Sequence, residues 1–436
     1  MRKLYTLLLY LLAPLVLLRL AWRGLRAPVY RRRWRERFGL VRPAVGERVV
    51  WLHAVSVGEV QAAAPLVRAL LQRPEVSLLV TTTTPTGSER VAELFGDEVE
   101  HFYAPYDLPG AVARFLDRVR PQLAIIMETE LWPNLFNGCR KRGIPLVLAN
   151  ARLSARSTAG YRRVPRLMAK TLAAVTAIAA QTPRDVRRFV SLGADPETIS
   201  VTGNLKYEQD IAAGLAEQAV ELRRQWGDSR PVWVAGSTHQ GEDELLLDAF
   251  RQVRRQLPDC LLVLVPRHPQ RFAEVAALCG RRGYRVVLRS EHRPCTSDTG
   301  VFIGDSMGEL PLFYLAGDVA FVGGSLVHRG GHNLLEPASA GIPLVTGPHV
   351  ANFAEICELL ERAGACRRVE NVTGLAEAVA YWLRHPGERA QAGEKGRRVV
   401  EKNRGALGNV LAIIDRYLGH GAGVSPAAGD MSGREA

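Results

Sequence analysis

The chain has 436 residues, more than one ordinary hydrophobic core organises and comfortable for two domains. Its composition is globular, with no collagen-like or disordered bias, and its six cysteines (139, 260, 279, 295, 357 and 366) form no Cys-x-x-Cys or zinc-type cluster, as expected of reduced thiols. The net charge of +13 is not spread as a nucleic-acid-binding face would be: residues 1–37 carry ten Lys/Arg against one Glu, nine of the thirteen net charges.

The first element is the greasy stretch LYTLLLYLLAPLVLLRLAW, residues 4–22, interrupted only by Arg19. Its length is borderline for a bilayer span. Trp22 and then Arg23, Arg26, Arg31, Arg32, Arg33, Arg35 and Arg37 resemble an aromatic anchor and a polybasic flank. A cleaved signal peptide would need a small-x-small cleavage site, and here the apolar core runs straight into arginines. Residues 1–37 are therefore expected to be a membrane anchor, spanning or deeply inserted, with the body on the cytoplasmic side.

Beyond it, apolar β-branched runs alternate with helical patterns. Strands are predicted at 48–53, 76–83, 121–127, 145–149, 175–181 and 199–202. After a helical stretch at 211–226 the alternation restarts at 231–237, 260–266, 284–289, 300–304, 318–323 and 342–346. Continuous apolar runs separated by helices read as parallel strands covered on both faces. Two such series predict two doubly wound α/β domains with a cleft between them: residues 38–210, a linker at 211–230, and residues 231–420. Residues 421–436 read as a flexible tail.

Ligands of such sheets bind beyond the carboxyl ends of the strands, and the chemistry-bearing residues follow those ends. Glu59 follows the first strand on a glycine-flanked turn. It reads either as a first-turn carboxylate favoured by the helix dipole or as a general base. Glu128 and Glu130, in METELWPN, follow the third predicted strand, and Lys206, in TGNLKY, follows the last strand of the first series. In the second series Pro266 and Arg267 lie in LVPRHP, Met307, Gly308 and Glu309 in GDSMGELP, and Asn333, Leu334, Leu335 and Glu336 in the glycine-rich segment after strand 318–323. Backbone N–H groups at helix starts hold phosphate without a metal, and a carboxylate just inside such a helix can accept ribose hydroxyls. No Asp-x-Asp occurs in the chain, so the usual metal-chelating pair for sugar diphosphates is missing. A nucleotide with one phosphate needs no such pair.

Taken together, SVGE, TPTGSER, METELWPN, ANARLSARS, GNLK, PRHP, GD-x-MGEL and FVGGSLV-x-RGGHN-x-LE closely resemble the 3-deoxy-D-manno-oct-2-ulosonic acid (Kdo) transferases of lipopolysaccharide assembly, from the apolar segment to about residue 418. The resemblance implies a GT-B fold of two Rossmann-like domains. It implies the donor CMP-Kdo and the acceptor lipid IVA at the inner membrane surface, with no cofactor, no metal and no nucleic acid. It places the catalytic base on Glu59 and transition-state stabilisation on Glu128 and Lys206. CMP contacts fall on Pro266, Arg267, Met307, Gly308, Glu309 and Asn333 to Glu336. Asn204 and Leu334 stand where some relatives carry Ser and Pro. Two rival readings remain: a GT-B nucleotide-sugar epimerase, which needs no lipid acceptor, and a non-catalytic membrane lipid-binding protein.

Overall fold

The computed structural model describes residues 1–26, 33–208 and 214–419. These divide into two compact units. The first comprises the residues up to Glu208 together with those from Arg404 onward, and the second the residues between.

The first unit is built on seven parallel strands: β1 (Val49–His53), β2 (Ser77–Thr82), β3 (Glu100–Tyr103), β4 (Leu123–Met127), β5 (Leu146–Ala151), β6 (Ala177–Ala180) and β7 (Ile199–Val201), in the order β3-β2-β1-β4-β5-β6-β7. β1 explains the architecture in miniature. All five of its residues are buried. Val49 and Trp51 face a core containing Phe115, Phe136 and Phe189, while Val50 and Leu52 face a second core containing Leu66, Ile125 and Leu205. A strand with two apolar faces must lie inside a sheet covered by helices on both sides.

The second unit repeats the plan with β8 (Val232–Thr238), β9 (Leu261–Pro266), β10 (Arg285–Leu288), β11 (Thr299–Ile303), β12 (Val319–Val322), β13 (Leu344–Thr346) and β14 (Cys366–Arg368), in the order β10-β11-β9-β8-β12-β13-β14. Every pairing in both sheets is parallel. In each sheet the order reverses beside its first strand, between β1 and β4 and between β8 and β12. There the connections after adjacent strands leave toward opposite faces and open a crevice.

Three expectations about organisation change. The 211–230 segment is not a linker throughout. Its helix Leu215–Trp226 belongs to the second unit, where Trp226 is buried against Phe302 and Phe313 and Arg223 pairs with Asp318 at 3.0 Å. Residues 231–420 are not one domain either. The last helix, Ala406–Leu418, packs on the first unit, inserting Val410, Ile413 and Ile414 into the core behind β1. Glu208 ties down its start by accepting the N–H groups of Gly405 and Leu407. Ile414→Ala, which empties a fully buried site, is therefore expected to lower the stability of the first unit by about 3 kcal/mol. The urea midpoint of that unit's transition measures it, and an unmoved midpoint refutes the packing.

The third change concerns the basic flank. Arg31 and Arg32 lie outside the described residues. Arg37 is buried, donates to the Thr83 carbonyl at 2.9 Å and lies over the Tyr103 ring. Arg33 pairs with Glu36 and contacts His101. These two arginines thus make structural contacts within the first unit. The expected anchor is one helix, Arg2–Arg26. Among the described residues no helix is long and apolar enough to cross a membrane. The proposed tail, 421–436, also lies outside the described residues.

Candidate functional site

In the first unit the reversal of strand order brings the connections after β1 and β4 side by side. Ser56 caps the helix Val57–Leu71 by accepting the Glu59 N–H, and the Glu59 carboxylate turns back to accept the Val55 N–H at 2.8 Å and the Ser56 hydroxyl at 3.2 Å. The capping reading of Glu59 is therefore correct as geometry. The electrostatics add a second property. Burial lifts its carboxyl to about 7 against the pull of the Val55 N–H, and the negative charges of Glu128 and Glu130 push it further the same way.

Glu128 is the first residue past β4 and holds a left-handed backbone, φ 53°. A non-glycine residue there is strained, and such strain concentrates at functional sites. Its carboxylate faces the Lys206 ammonium at 3.6 Å. Glu130 accepts the Trp132 indole N–H at 2.7 Å, and burial raises its pKa. The structure thus gathers Glu59, Glu128, Glu130 and Lys206 at one crevice.

Lys206 is placed by two asparagines. Asn204 accepts the Lys206 N–H at 3.0 Å, and Asn150, fully buried at the end of β5 with φ 53°, accepts the Leu205 N–H at 3.0 Å. Leu205 itself is sealed in the core. Asn150 was not singled out by sequence reasoning, although it stands at the close of a predicted strand. His53 was passed over as well. It is fully buried beside Trp132, and burial lowers its pKa to about 4.

In the second unit the equivalent reversal joins the connections after β8 and β12. Glu242 holds them together. Its buried carboxylate accepts N–H groups from His239, Gly324, Ser325 and Leu326 at 2.8–3.1 Å. A Cβ at Gly323 would meet the Ser237 carbonyl oxygen at 2.4 Å, so only glycine allows the two loops to approach this closely. His239 and His332 stack with ring centres 5.0 Å apart and Nε2 atoms 2.7 Å apart, so one imidazole donates to the other. His268 lies edge-on to His239. Burial, neighbouring imidazoles and nearby arginines, Arg267 among them, lower His239 to about 4 and His332 to about 3. The cluster is a set of neutral donors and acceptors beside fixed guanidinium charge, a setting that welcomes an anion. Sequence reasoning missed His239 and Glu242, and the available signal was a fourth polar strand end, STHQGEDE after β8.

The residues that sequence reasoning chose in this unit fare differently. Pro266 is the last residue of β9 and buried; Arg267 follows it, its N–H bound to the Thr238 carbonyl. Met307 is 55% exposed, and Gly308 has φ 84°. Glu309 is engaged by Arg289 through three contacts of 2.8–3.2 Å and by the Ser306 hydroxyl, and the Arg289 pairing lowers its pKa. Asn333 accepts the Leu335 N–H and donates to Glu336, both at 3.1 Å. Leu334 and Leu335 are core side chains, 1% and 0% exposed, leaving only their backbones for a ligand. The helices opening here are short, Leu310–Ala316 and Leu335–Ser339. Their contribution to anion binding is therefore individual N–H groups more than an extended dipole. Among the described residues no group of three or more His, Cys, Asp or Glu is placed to hold a metal ion.

Comparison with known proteins follows the same division. The family described as 3-deoxy-D-manno-octulosonic-acid transferase (kdotransferase) matches residues 32–209, and the glycosyl transferases group 1 family matches residues 239–399. A 3-deoxy-D-manno-octulosonic acid transferase of Haemophilus influenzae is 43% identical over 95% of this chain and 98% of its own. One from Bordetella pertussis is 37% identical over 96% of this chain and 100% of its own. Among solved structures, the UDP-GlcNAc 2-epimerase from Neisseria meningitidis bound to UDP-GlcNAc aligns with TM-score 0.54 at 14% identity, covering 85% of this chain and 99% of that one, a likeness of fold alone.

Proposed function

The chain belongs to the 3-deoxy-D-manno-octulosonic acid transferases and is a glycosyltransferase; from that premise we propose that it transfers Kdo from CMP-Kdo to lipid IVA with inversion and without a metal. The observation that carries this reading is the Glu59 carboxyl, lifted to about 7 beside Glu128 and Lys206. A base with that affinity is about half ionised at neutral pH and takes a proton readily.

In this reading Glu59 removes the proton from the acceptor's primary hydroxyl. The freed oxygen attacks the anomeric carbon of Kdo from the face opposite CMP, the bond to the phosphate oxygen breaks, and CMP leaves with the electron pair. Lys206, held by Asn150 and Asn204, offers positive charge to the anionic groups of the substrates. Glu128 keeps that ammonium in place. Arg267 and the His239–His332 pair receive the CMP phosphate with backbone N–H groups near residues 308 and 333, and Glu336 takes the ribose hydroxyls. Metal independence is supported by this set of cationic and N–H donors together with a donor that has one phosphate and a chain that lacks Asp-x-Asp.

The helix Arg2–Arg26 associates with the membrane surface, and the body works on the cytoplasmic face of the inner membrane. Leu4, Leu7, Leu8, Leu11, Leu12, Leu15 and Leu18 are each at least half exposed, a face that favours the interfacial region of a bilayer.

The test is a pH profile of Kdo transfer from CMP-Kdo to lipid IVA. Glu59 acts deprotonated, so kcat/KM is expected to rise about tenfold per unit below pH 7 and to level above it. A profile that stays flat from pH 5 to pH 8 removes Glu59 as the base.

A further inference from the structure

The N-terminal helix is fastened to the first unit at its beginning. Tyr5 donates to Asp107 at 2.9 Å, and Thr6 donates to Asn134 at 3.1 Å. Asp107 also accepts the N–H groups of Asn134 and Leu135, so one partly buried carboxylate joins the N-terminal helix to the start of helix Pro133–Lys141. Burial raises its pKa to about 6. From this junction the helix runs on with the seven leucines named above at least half exposed.

Beside the junction is a cavity of about 520 Å³, set between this helix and the helices Pro109–Val119 and Pro133–Lys141. Arg2, Lys3, Lys141 and Arg142 line it, with Val112 and Ala113 as an apolar part of the wall. A Cβ at Gly138 would meet Val112 at 2.8 Å, so a glycine there lets those two helices come together beneath it. The facing acids cancel only part of the charge. Asp107 is partly buried and committed to Tyr5 and two N–H groups, and Asp117 takes Arg142 at 2.7 Å. Lys3 and Lys141 have no ion-pair partner among the described residues, and Arg2 feels the Asp107 charge without reaching ion-pair distance.

We propose that this cavity between Arg2, Lys3, Lys141 and Arg142 seats the phosphate of an anionic phospholipid headgroup, clamping the body of the enzyme to the bilayer in which the exposed leucines lie. The inference rests on the membrane-surface reading above. Charge complementarity identifies the phosphate, because several cations on one wall bind a phosphate's oxygens well. Continuity identifies its source. Leu7, 55% exposed, lies one helical turn on from Lys3, so a headgroup in the cavity has acyl chains directed along the same apolar helix. The cavity belongs to neither crevice described above. Its charges are supplied by the helix starting at residue 2 and by the far end of helix Pro133–Lys141, not by the strand ends.

The test uses the full chain and flotation with vesicles of phosphatidylcholine alone or with phosphatidylglycerol added. The wild type is expected to partition more strongly onto the anionic vesicles. Lys3→Gln/Lys141→Gln is expected to weaken that partition about tenfold, while keeping its binding to neutral vesicles, its thermal melt and its turnover in detergent. Lys395→Gln/Lys402→Gln, which removes the same charge from exposed sites in the second unit, is expected to keep the anionic preference. If the two double variants behave alike, the effect is general charge and the site is refuted. If the first variant instead raises KM for lipid IVA in neutral vesicles with its phosphatidylglycerol preference intact, the cavity holds an acceptor phosphate and the phospholipid assignment is overturned. Wild-type protein that floats with neither vesicle overturns the membrane reading and the site with it.

Discussion

Glu59→Gln is expected to lower kcat for Kdo transfer by about 10³-fold, within the range by which positioned bases accelerate proton transfer. The same substitution is expected to stabilise the protein above pH 7. The sign follows from the direction of the shift. A carboxyl whose affinity for protons rises from the usual 4.5 to about 7 on folding favours the folded state below pH 4.5, and that contribution is lost as pH climbs through 7. Glutamine has the same shape, still offers an oxygen to the Val55 N–H, and carries no charge to desolvate. At pH 8 the variant should unfold later than the wild type by on the order of 2 kcal/mol, and at pH 4 the two should coincide. An inactive variant with raised stability at pH 8 identifies a residue kept at a cost for its chemistry. Near-normal turnover returns Glu59 to its capping role alone.

Glu242→Ala is expected to do the opposite, costing both stability and donor binding. The buried carboxylate accepts four backbone N–H groups, and removing it strands all four at about 1–3 kcal/mol each, less whatever entering water recovers. A loss of roughly 4 kcal/mol or more is enough to unfold many domains. Glu242→Gln separates the two effects. Its single carbonyl oxygen can still serve two of the N–H groups, so the unit folds while the loop bearing His332 relaxes. CMP affinity, measured by calorimetry, is then expected to fall about tenfold or more for Gln. An alanine variant that melts with the wild type and binds CMP unchanged contradicts the assignment of Glu242 as the strut of this crevice.

The fold was legible where strands are buried on both sides. Runs such as Val49–His53 and Leu261–Pro266 have no polar face, so their place inside a parallel sheet follows from composition. The two strands that escaped, Glu100–Tyr103 and Cys366–Arg368, are edge strands. Glu100 and His101 are only partly buried, and Arg367 and Arg368 are exposed, so the apolar signal is absent where half the strand faces water. The last helix went to the wrong domain for a different reason. Its apolar stripe announces that it packs, and nothing local says against which sheet.

The site was legible to the same degree. Glu59, Glu128 and Lys206 were singled out because each lies in the segment after a strand, and the fold brings these segments together. Asn150 and Glu242 were not found because Asn150 and three of Glu242's four contacts depend on backbone N–H groups 55 and 82 or more positions away. Glu309, chosen for its place at a helix start, is held by Arg289 twenty positions earlier. Pairings of that kind depend on tertiary contact and leave no mark in local spacing. Three of the four charged groups at the first crevice combine backbone strain or raised proton affinity with a strand-end position: Glu128 by strain, Glu59 and Glu130 by proton affinity.

The central claim is tested most directly by the mass of lipid IVA after incubation with CMP-Kdo and the full-length protein in a lipid environment. The account predicts that the acceptor gains the mass of Kdo, that one CMP appears for each Kdo transferred, and that the gain is absent with Glu59→Gln. Release of CMP and free Kdo with the acceptor mass unchanged, from a folded protein bound to the membrane, would contradict lipid IVA as the acceptor.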